Sequence, residues 1–439
     1  MIRLIYTLLF LLIYPLLLPG FLLRMLRRGG YRRHFGQRFG CFSAAEWRTL
    51  GEGDWIWIHA VSVGEIQVAL NFLRAWRERE PGARFVLSHS TSTGRAQAEK
   101  GVSERDFLLY VPIDLPWIVR RVARRIRPRL FVLTESEFWP NLLHAVRATG
   151  APVALINGRI SDRSFPRYRR VRWLTRAVFP LIDRLHLQSA RDAERITALG
   201  APADRVRVSG NGKYDHRLPE GDPAPVARAR LAEAGFPADA VLLVAGSTWP
   251  GEEKALAEML PRLRAREPRL RLVLVPRHAE RAAAVRAEVI ATGRTLRCRV
   301  PLPETVEEAS DPEVFLLNST GELLPFYAAA DLVFVGKSLF EPGGQNIIEP
   351  ALFGKPIVTG PHLENFAAVA RDFLAAGALV QVPDARAVEE TLAAWLADPT
   401  RARAQGARAA DLVRRNAGAL TRMVDDLLGL ARPPASAPL

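Results

Sequence analysis

From Trp55 onward the chain alternates short, almost wholly apolar runs with longer stretches in which apolar residues recur every three or four positions. Trp55–His59, Arg84–His89, Arg129–Thr134, Pro152–Asn157, Arg184–Leu187 and Val206–Ser209 read as strands. Ile66–Arg77, Trp117–Ile126 and Leu142–Ala148 read as amphipathic helices between them. Strands of this kind separated by helices predict a parallel sheet covered on both faces, hence a Rossmann-like domain. Gly210–Pro225 (GNGKYDHRLPEGDPAP) is dense in Gly, Pro and charge and predicts a boundary. The alternation then restarts, with strands expected at Val241–Ala245, Leu270–Val275, Val314–Leu317, Leu332–Val335, Pro356–Thr359 and Ala378–Gln381. Arg401–Ala431 reads as helix to the end, followed by a fraying PPASAP tail. No short repeat appears, so a pair of similar α/β domains is expected rather than a solenoid. The predicted division is 1–40, 41–210, a linker at 211–225, and 226–431.

Ahead of the first strand, Leu4–Leu23 carries no charge and is about long enough to cross a hydrocarbon core of roughly 30 Å. Pro15, Pro19 and Gly20 would kink such a helix. Arg24, Arg27, Arg28, Arg32 and Arg33 follow and would hold the C-terminal side in the cytoplasm. A secretory signal has the reverse order, with its basic residues first. The segment therefore reads as a membrane anchor with a basic collar over 1–40, spanning the bilayer or lying in one leaflet. A helix buried in the protein core is the structural alternative, because all-round hydrophobicity suits that site too.

Charge narrows the partners. Lys plus Arg number 61 against 46 Asp plus Glu, giving +15, which favours nucleic acid, acidic lipid or phosphorylated substrates. The aromatic-basic pattern of an RNA-binding sheet is absent, so no nucleic-acid partner is expected. Neither GxxxxGK[ST] nor an intact GxGxxG at the first turn is present, which removes the usual support for an ATPase or a dinucleotide oxidoreductase. Cys41 and Cys298 are far apart and lack metal-ligand spacing, so neither a disulfide framework nor a zinc site is expected.

Candidate chemistry sits where strands give way to helices, because free N–H groups and the helix macrodipole favour anions there. In FVGKSLFEPGGQNIIEP, Gly343 and Gly344 would let the backbone approach a phosphate, and Asn346 and Glu349 are of the types that read ribose hydroxyls. A plain glycine-rich turn is the alternative. In AGSTWPGEE, Ser247 and Thr248 are candidate helix caps or phosphate contacts. Arg277 in VPRHAER, Lys213 in GNGKYD, and Arg159 and Arg163 in NGRISDRSF are cations at strand ends, for an acidic ligand or for a solvated loop. TESEFWPN puts Glu135 and Glu137 at a strand end. Thr134 with Glu137, and Ser62 with Glu65 in HAVSVGE, have the spacing of a capping box. Glu65 thus has two readings, a helix cap or a general base at the lip of a cleft, and local sequence favours the cap. Val68, Ala69 and Phe72 on its side would raise its pKa while the dipole lowers it, so the net direction is not fixed locally.

Taken in order, the N-terminal apolar segment with YRRHFGQRFG, then HAVSVGE, TESEFWPN, NGRISDRS, GNGKYD, AGSTWPGEE, LVPRHAER, and GGQNIIEP with GPHLENF resemble the 3-deoxy-D-manno-octulosonic acid (Kdo) transferase family. The resemblance covers almost the whole chain. It implies a GT-B fold, two Rossmann-like domains facing a central cleft, with acceptor binding in 41–210 and nucleotide-sugar binding in 226–431. It also implies inverting transfer of Kdo from CMP-Kdo to a lipid A precursor, with no cofactor and no metal, at the cytoplasmic face of the inner membrane among its anionic lipids. Glu65 would be the general base, with Ser62 and Gly64 shaping the acceptor side. Glu135, Arg159 and Arg163 would face the donor sugar acid and acceptor phosphate. Ser247, Thr248, Arg277, Gly343, Gly344, Asn346 and Glu349 would hold CMP. Many members have GGHNPLEP where this chain has Gln345 and Ile347, and GGS where it has Lys337. A GT-B enzyme using a UDP-sugar and a non-catalytic nucleotide-sugar-binding protein are the competing expectations.

Overall fold

In the computed structural model, residues 2–28, 34–215, 221–302 and 309–431 are described, with only the backbone for 17, 18 and 21–28. The chain forms two compact units, residues 1–215 with 416–439 and residues 216–415. The first contains strands β1 Trp55–His59, β2 Arg84–His89, β3 Phe107–Tyr110, β4 Leu130–Thr134, β5 Val153–Gly158, β6 Arg184–Leu187 and β7 Val206–Val208. The second contains β8 Val241–Thr248, β9 Leu270–Pro276, β10 Leu296–Cys298, β11 Val314–Leu316, β12 Leu332–Val335, β13 Ile357–Thr359 and β14 Val380–Gln381. Each set makes a parallel sheet, in the orders β3-β2-β1-β4-β5-β6-β7 and β10-β11-β9-β8-β12-β13-β14.

Strand sequence explains the layering. β1 (WIWIH) is buried at every position: Trp57 points to a core with Phe131 and Val153, while Ile56 and Ile58 point to another with Phe72 and Val132. Both faces are covered, as continuous apolar strands require. The two strands that the pattern did not predict, β3 and β10, are each the edge strand of their sheet and are only four and three residues long.

The chain's return corrects the predicted second domain, 226–431. Residues 416–431 belong to the first unit. Ala419, Leu420, Met423, Val424 and Leu427, one face of the helix Ala419–Leu428, are buried in the Ile56–Phe72 core. Asp215 accepts at its start from the N–H groups of Gly418 (2.5 Å) and Ala419 (3.3 Å), an N-terminal cap supplied from about 200 residues away in sequence.

The first helix, Ile2–Arg28, runs through Pro15 and Pro19 and packs on the helices Pro140–Arg147 and Arg172–Val178. Its docking side is polar and aromatic. Arg3 Nε donates to Asn141 Oδ1 (2.9 Å), Tyr6 Oη donates to Asp114 Oδ2 (2.9 Å), the Tyr6 ring tilts against Phe10, and Phe10 stacks on Tyr14. Leu4, Leu8, Leu12 and Leu16 are exposed, Leu16 at 76%, so this part of the helix is not a core helix. Among the described residues no helix is long and apolar enough to cross a membrane. The side chains of Arg24, Arg27 and Arg28, and all of Arg32 and Arg33, lie outside the described residues.

Candidate functional site

In doubly wound sheets ligands gather at the carboxyl ends of strands where the strand order reverses. These switch points fall between β1 and β4 and between β8 and β12. The motifs singled out in the sequence lie at both, and so does local backbone strain. Glu135 (φ 51°), just after β4, Ser247 (φ 55°), in β8, and Lys337 (φ 54°), just after β12, are left-handed non-glycine residues. Such residues concentrate at functional sites because packing must hold them there.

At the first switch point the helix Val63–Arg79 starts directly after β1, with Ser62 as N-cap accepting from Glu65 N–H at 3.3 Å. The return half of the predicted box is displaced by one residue: Glu65 Oε2 accepts from Val61 N–H at 2.8 Å, and Oε1 from Ser62 Oγ at 3.1 Å. Thr134 Oγ1 lies 2.8 Å from the His59 carbonyl and 3.3 Å from Glu65 Oε2. Its single proton serves the nearer acceptor. Since a carboxylate offers about four lone-pair sites, Glu65 caps the helix and still has acceptor capacity. It is 8% exposed. Burial raises its pKa, the Val61 N–H opposes this, and the Glu135 charge adds to it. His59 is buried and pushed down to about 4, so it is neutral and structural.

Glu135 is buried between cations, 2.8 Å from Arg159 Nε and 3.4 Å from Lys213 Nζ. Asn157 (φ 53°) ties the same corner together, accepting from Gly212 N–H at 2.9 Å. A Cβ at Gly64 would meet only Lys213 Nζ and Ser62 Oγ, both at 4.0 Å, so the glycine leaves room beside the carboxylate rather than relieving a clash. The structure thus joins Glu65 with Ser62 and Thr134, and Glu135 with Arg159 and Lys213. Arg163 stays exposed on the turn before the helix Phe165–Arg170, where Asp162 pairs with Arg191. The predicted Thr134–Glu137 box does not form, because the next helix begins only at Pro140 with Trp139 as N-cap. Glu137 instead accepts from Trp139 Nε1 at 3.1 Å.

Glu137 is pushed up to about 7, by burial first and the Glu65 charge second. A carboxyl titrating there when folded and near its ordinary 4.5 when unfolded keeps its proton only in the folded state across that window. Folded stability therefore falls as pH rises through it. Glu137→Gln should stabilise the fold at about pH 8 by on the order of 1 kcal/mol after allowance for its partial exposure, read as a higher unfolding temperature. Below about pH 4.5 the gain should vanish. Equal melting shifts at both pH values would contradict the assignment.

At the second switch point β8 continues through Thr248, and the helix Glu252–Arg264 is N-capped by Gly251 (φ 90°). The expected Ser247 and Thr248 caps are therefore replaced. Thr248 Oγ1 donates to buried Glu253 (2.9 Å), and Ser247 sits partly exposed at the strand end. Glu252 is fully buried. Its Oε1 accepts from Ser338 N–H (2.8 Å) and Leu339 N–H (3.0 Å), and Oε2 from Lys337 N–H (2.8 Å) and Trp249 N–H (2.9 Å). One carboxylate thus fixes the loops after both strands. Lys337 Nζ lies 4.4 Å from the centre of the Trp249 ring, and the His278 ring meets the same indole edge-on at 5.0 Å.

The glycine pair is set by packing. Gly343 (φ 134°) and Gly344 (φ 71°) have left-handed backbones, and a Cβ would fall 2.9 Å from Asn365 Nδ2 or 2.7 Å from Leu363 Cδ2. Their N–H groups donate to Glu364 (2.6 Å) and to the Lys337 carbonyl (2.8 Å), so the PHLEN segment and Lys337 hold the GGQN loop. Asn346 Nδ2 donates to Glu349 Oε1 (3.0 Å), while Asn346 Oδ1 accepts from Ile348 N–H (3.0 Å). Burial raises Glu349; Asn346 and the exposed Arg277 guanidinium pull it back. Lys337, Gly343 and Gly344 therefore meet in one loop, and Asn346, Glu349 and Arg277 in one electrostatic group. Trp249 and Glu252 complete this corner, and neither was among the expected site residues. Asn157 was missed in the first unit too, although Asn is the non-glycine type that best tolerates a left-handed backbone.

Residues 33–216 match the family model for 3-deoxy-D-manno-octulosonic-acid transferase (kdotransferase), and residues 308–411 match that for glycosyl transferases group 1. A 3-deoxy-D-manno-octulosonic acid transferase of Bordetella pertussis is 36% identical over 435 residues, covering 96% of this chain and 98% of the relative. One of Haemophilus influenzae is 30% identical over 424 residues, covering 96% and 97%. Among solved structures, UDP-GlcNAc 2-epimerase from Neisseria meningitidis bound to UDP-GlcNAc has a TM-score of 0.56 at 12% identity, over 85% of this chain and 100% of that one, a likeness of fold alone. With two parallel Rossmann-like sheets of the GT-B kind and these relatives along nearly its full length, the chain belongs to the 3-deoxy-D-manno-octulosonic acid transferase family and is a glycosyltransferase of lipopolysaccharide biosynthesis.

Proposed function

We propose that the enzyme moves Kdo, with inversion, from CMP-Kdo to a sugar hydroxyl of a lipid A precursor. The observation that carries this reading is Glu65, a buried carboxylate with a raised pKa and spare acceptor capacity beside Glu135, which is itself paired with Arg159 and Lys213. In a single in-line displacement Glu65 takes the hydroxyl proton as the acceptor oxygen attacks the anomeric carbon. The bond to the phosphate oxygen breaks, and CMP leaves with the electron pair. Arg159 and Lys213 suit the Kdo carboxylate or an acceptor phosphate. Arg277, Ser247, Thr248, Gly343, Gly344, Asn346 and Glu349 are the proposed surroundings of CMP. A monophosphate leaving group carries less charge than a diphosphate, so cationic side chains and backbone N–H groups suffice to stabilise its departure and no metal or cofactor is invoked.

We place the enzyme on the cytoplasmic face of the inner membrane, attached through the first helix. Hydrogen bonds at Arg3 and Tyr6 tie its first turns to the folded unit, which favours a helix lying in one leaflet over a full span. Anionic lipids are the expected partners there, and nucleic acid is not. Donor choice is tested by protection against thermal unfolding. CMP should protect the enzyme and UDP should not; protection by UDP alone would favour the UDP-sugar reading.

A further inference from the structure

The helix Pro116–Ile126 (PWIVRRVARRI) buries Ile118, Val119, Val122, Ala123 and Ile126 and leaves Arg120, Arg121, Arg124 and Arg125 exposed. These four arginines, with Trp47 and Trp117, line an open groove of about 860 Å³. None of the four has a carboxylate partner among the described residues, so the groove presents uncompensated positive charge. Part of it is preorganised. The Arg121 guanidinium lies 5.1 Å from the centre of the Trp47 ring, and Arg125 Nε donates to the Trp47 carbonyl at 2.6 Å. Arg120 and Arg124 are left to face a ligand. Arginine in such a setting recognises phosphate oxygens, and Trp117, 59% exposed, is the residue type that settles at a bilayer interface. Arg3 also lines the groove and begins the helix whose outer face is Leu4, Leu8, Leu12 and Leu16.

We propose that this groove binds the phosphodiester headgroup of an anionic membrane phospholipid, with its acyl chains alongside the exposed apolar face of the first helix, and so fixes how the first unit seats on the bilayer. Its far end is distinct from the acceptor's subsite. The helix leads from the carboxyl end of β3 to the amino end of β4, so its last arginines lie away from the carboxyl ends that carry Glu65 and Glu135. The inference rests on the proposed membrane attachment and not on which sugar is transferred.

Flotation of the full-length protein with phosphatidylcholine vesicles, with and without phosphatidylglycerol, tests it. The unaltered protein should bind both, and the anionic vesicles at least tenfold more tightly, since each surface arginine adds attraction to anionic lipid. The double substitution Arg120→Gln/Arg124→Gln should remove most of that increment. It should leave binding to phosphatidylcholine and turnover of detergent-dispersed acceptor unchanged, and Arg120→Lys/Arg124→Lys should keep part of the increment. An equal loss in Arg167→Gln/Arg170→Gln, which removes the same charge outside the groove, would reduce the effect to diffuse electrostatics and overturn the proposal. So would a raised KM for acceptor in detergent, or displacement from vesicles by inorganic phosphate at matched ionic strength. Failure to bind either vesicle would overturn the attachment and the groove together, whatever the transfer assay gives.

Discussion

Glu65→Gln is expected to lower Kdo transfer by roughly 10²- to 10⁴-fold, the usual worth of a positioned general base, while the fold and CMP binding should survive. The substitution separates the two roles that sequence alone leaves entangled. A glutamine carbonyl can still accept from Val61 N–H, and its amide can donate to Ser62 Oγ, so the contacts at 2.8 and 3.1 Å that cap the helix are kept in kind. What is lost is the ability to take a proton. Unfolding temperature and CMP affinity should therefore stay near those of the unaltered enzyme while turnover falls. Turnover within a few-fold of the unaltered rate would reduce Glu65 to a cap. Ser62→Ala supplies the converse, with stability lower by about 1 kcal/mol, the usual worth of a cap.

The second large effect is expected where no reacting atom is touched. Glu252 accepts from four backbone N–H groups, at Trp249, Lys337, Ser338 and Leu339. In Glu252→Gln one oxygen becomes an NH2 group that must face either the Trp249 and Lys337 donors or the Ser338 and Leu339 donors. Two buried N–H groups are left without acceptors, at a cost of about 1–3 kcal/mol each. The second unit should lose on the order of 2–6 kcal/mol of stability, and CMP should bind more weakly because the loops bearing Ser247, Lys337 and Gly343 lose their common tether. Saturating CMP should restore part of the lost unfolding temperature, since a ligand that binds only the folded state stabilises it. Calorimetry of the variant with and without CMP reads both effects. Unaltered melting and CMP affinity would show that the four bonds contribute little.

Much of the fold is legible because burial on both faces leaves a signature that survives without context. β1 and β4 are apolar at nearly every position and separated by helical periodicity, so strands, order and a parallel sheet follow. β3 and β10 escape because short strands near an edge have too few residues to establish a period. The Ala419–Leu428 helix shows its apolar face in the sequence but not the partner of that face, since Ile56 and Phe72 lie more than 300 residues earlier. The site is legible to the same limit. HAVSVGE and TESEFWPN stand at strand ends that tertiary pairing brings together, through the β1–β4 register. Glu252 reads locally as an acid in a first helical turn, which the helix dipole alone would explain. Its main partners, the N–H groups of Lys337, Ser338 and Leu339, are about 85 residues away.

Transfer of Kdo from CMP-Kdo to a lipid A precursor through Glu65 without a metal is tested most directly by mass spectrometry of the lipid. Purified full-length enzyme would be incubated with CMP-Kdo and a tetraacylated lipid A precursor, with a chelator present. The expected product is a lipid heavier by one or more Kdo units, with almost none formed by Glu65→Gln. Enzyme that binds CMP yet leaves the lipid mass unchanged, or transfers Kdo equally well with Glu65→Gln, would contradict it.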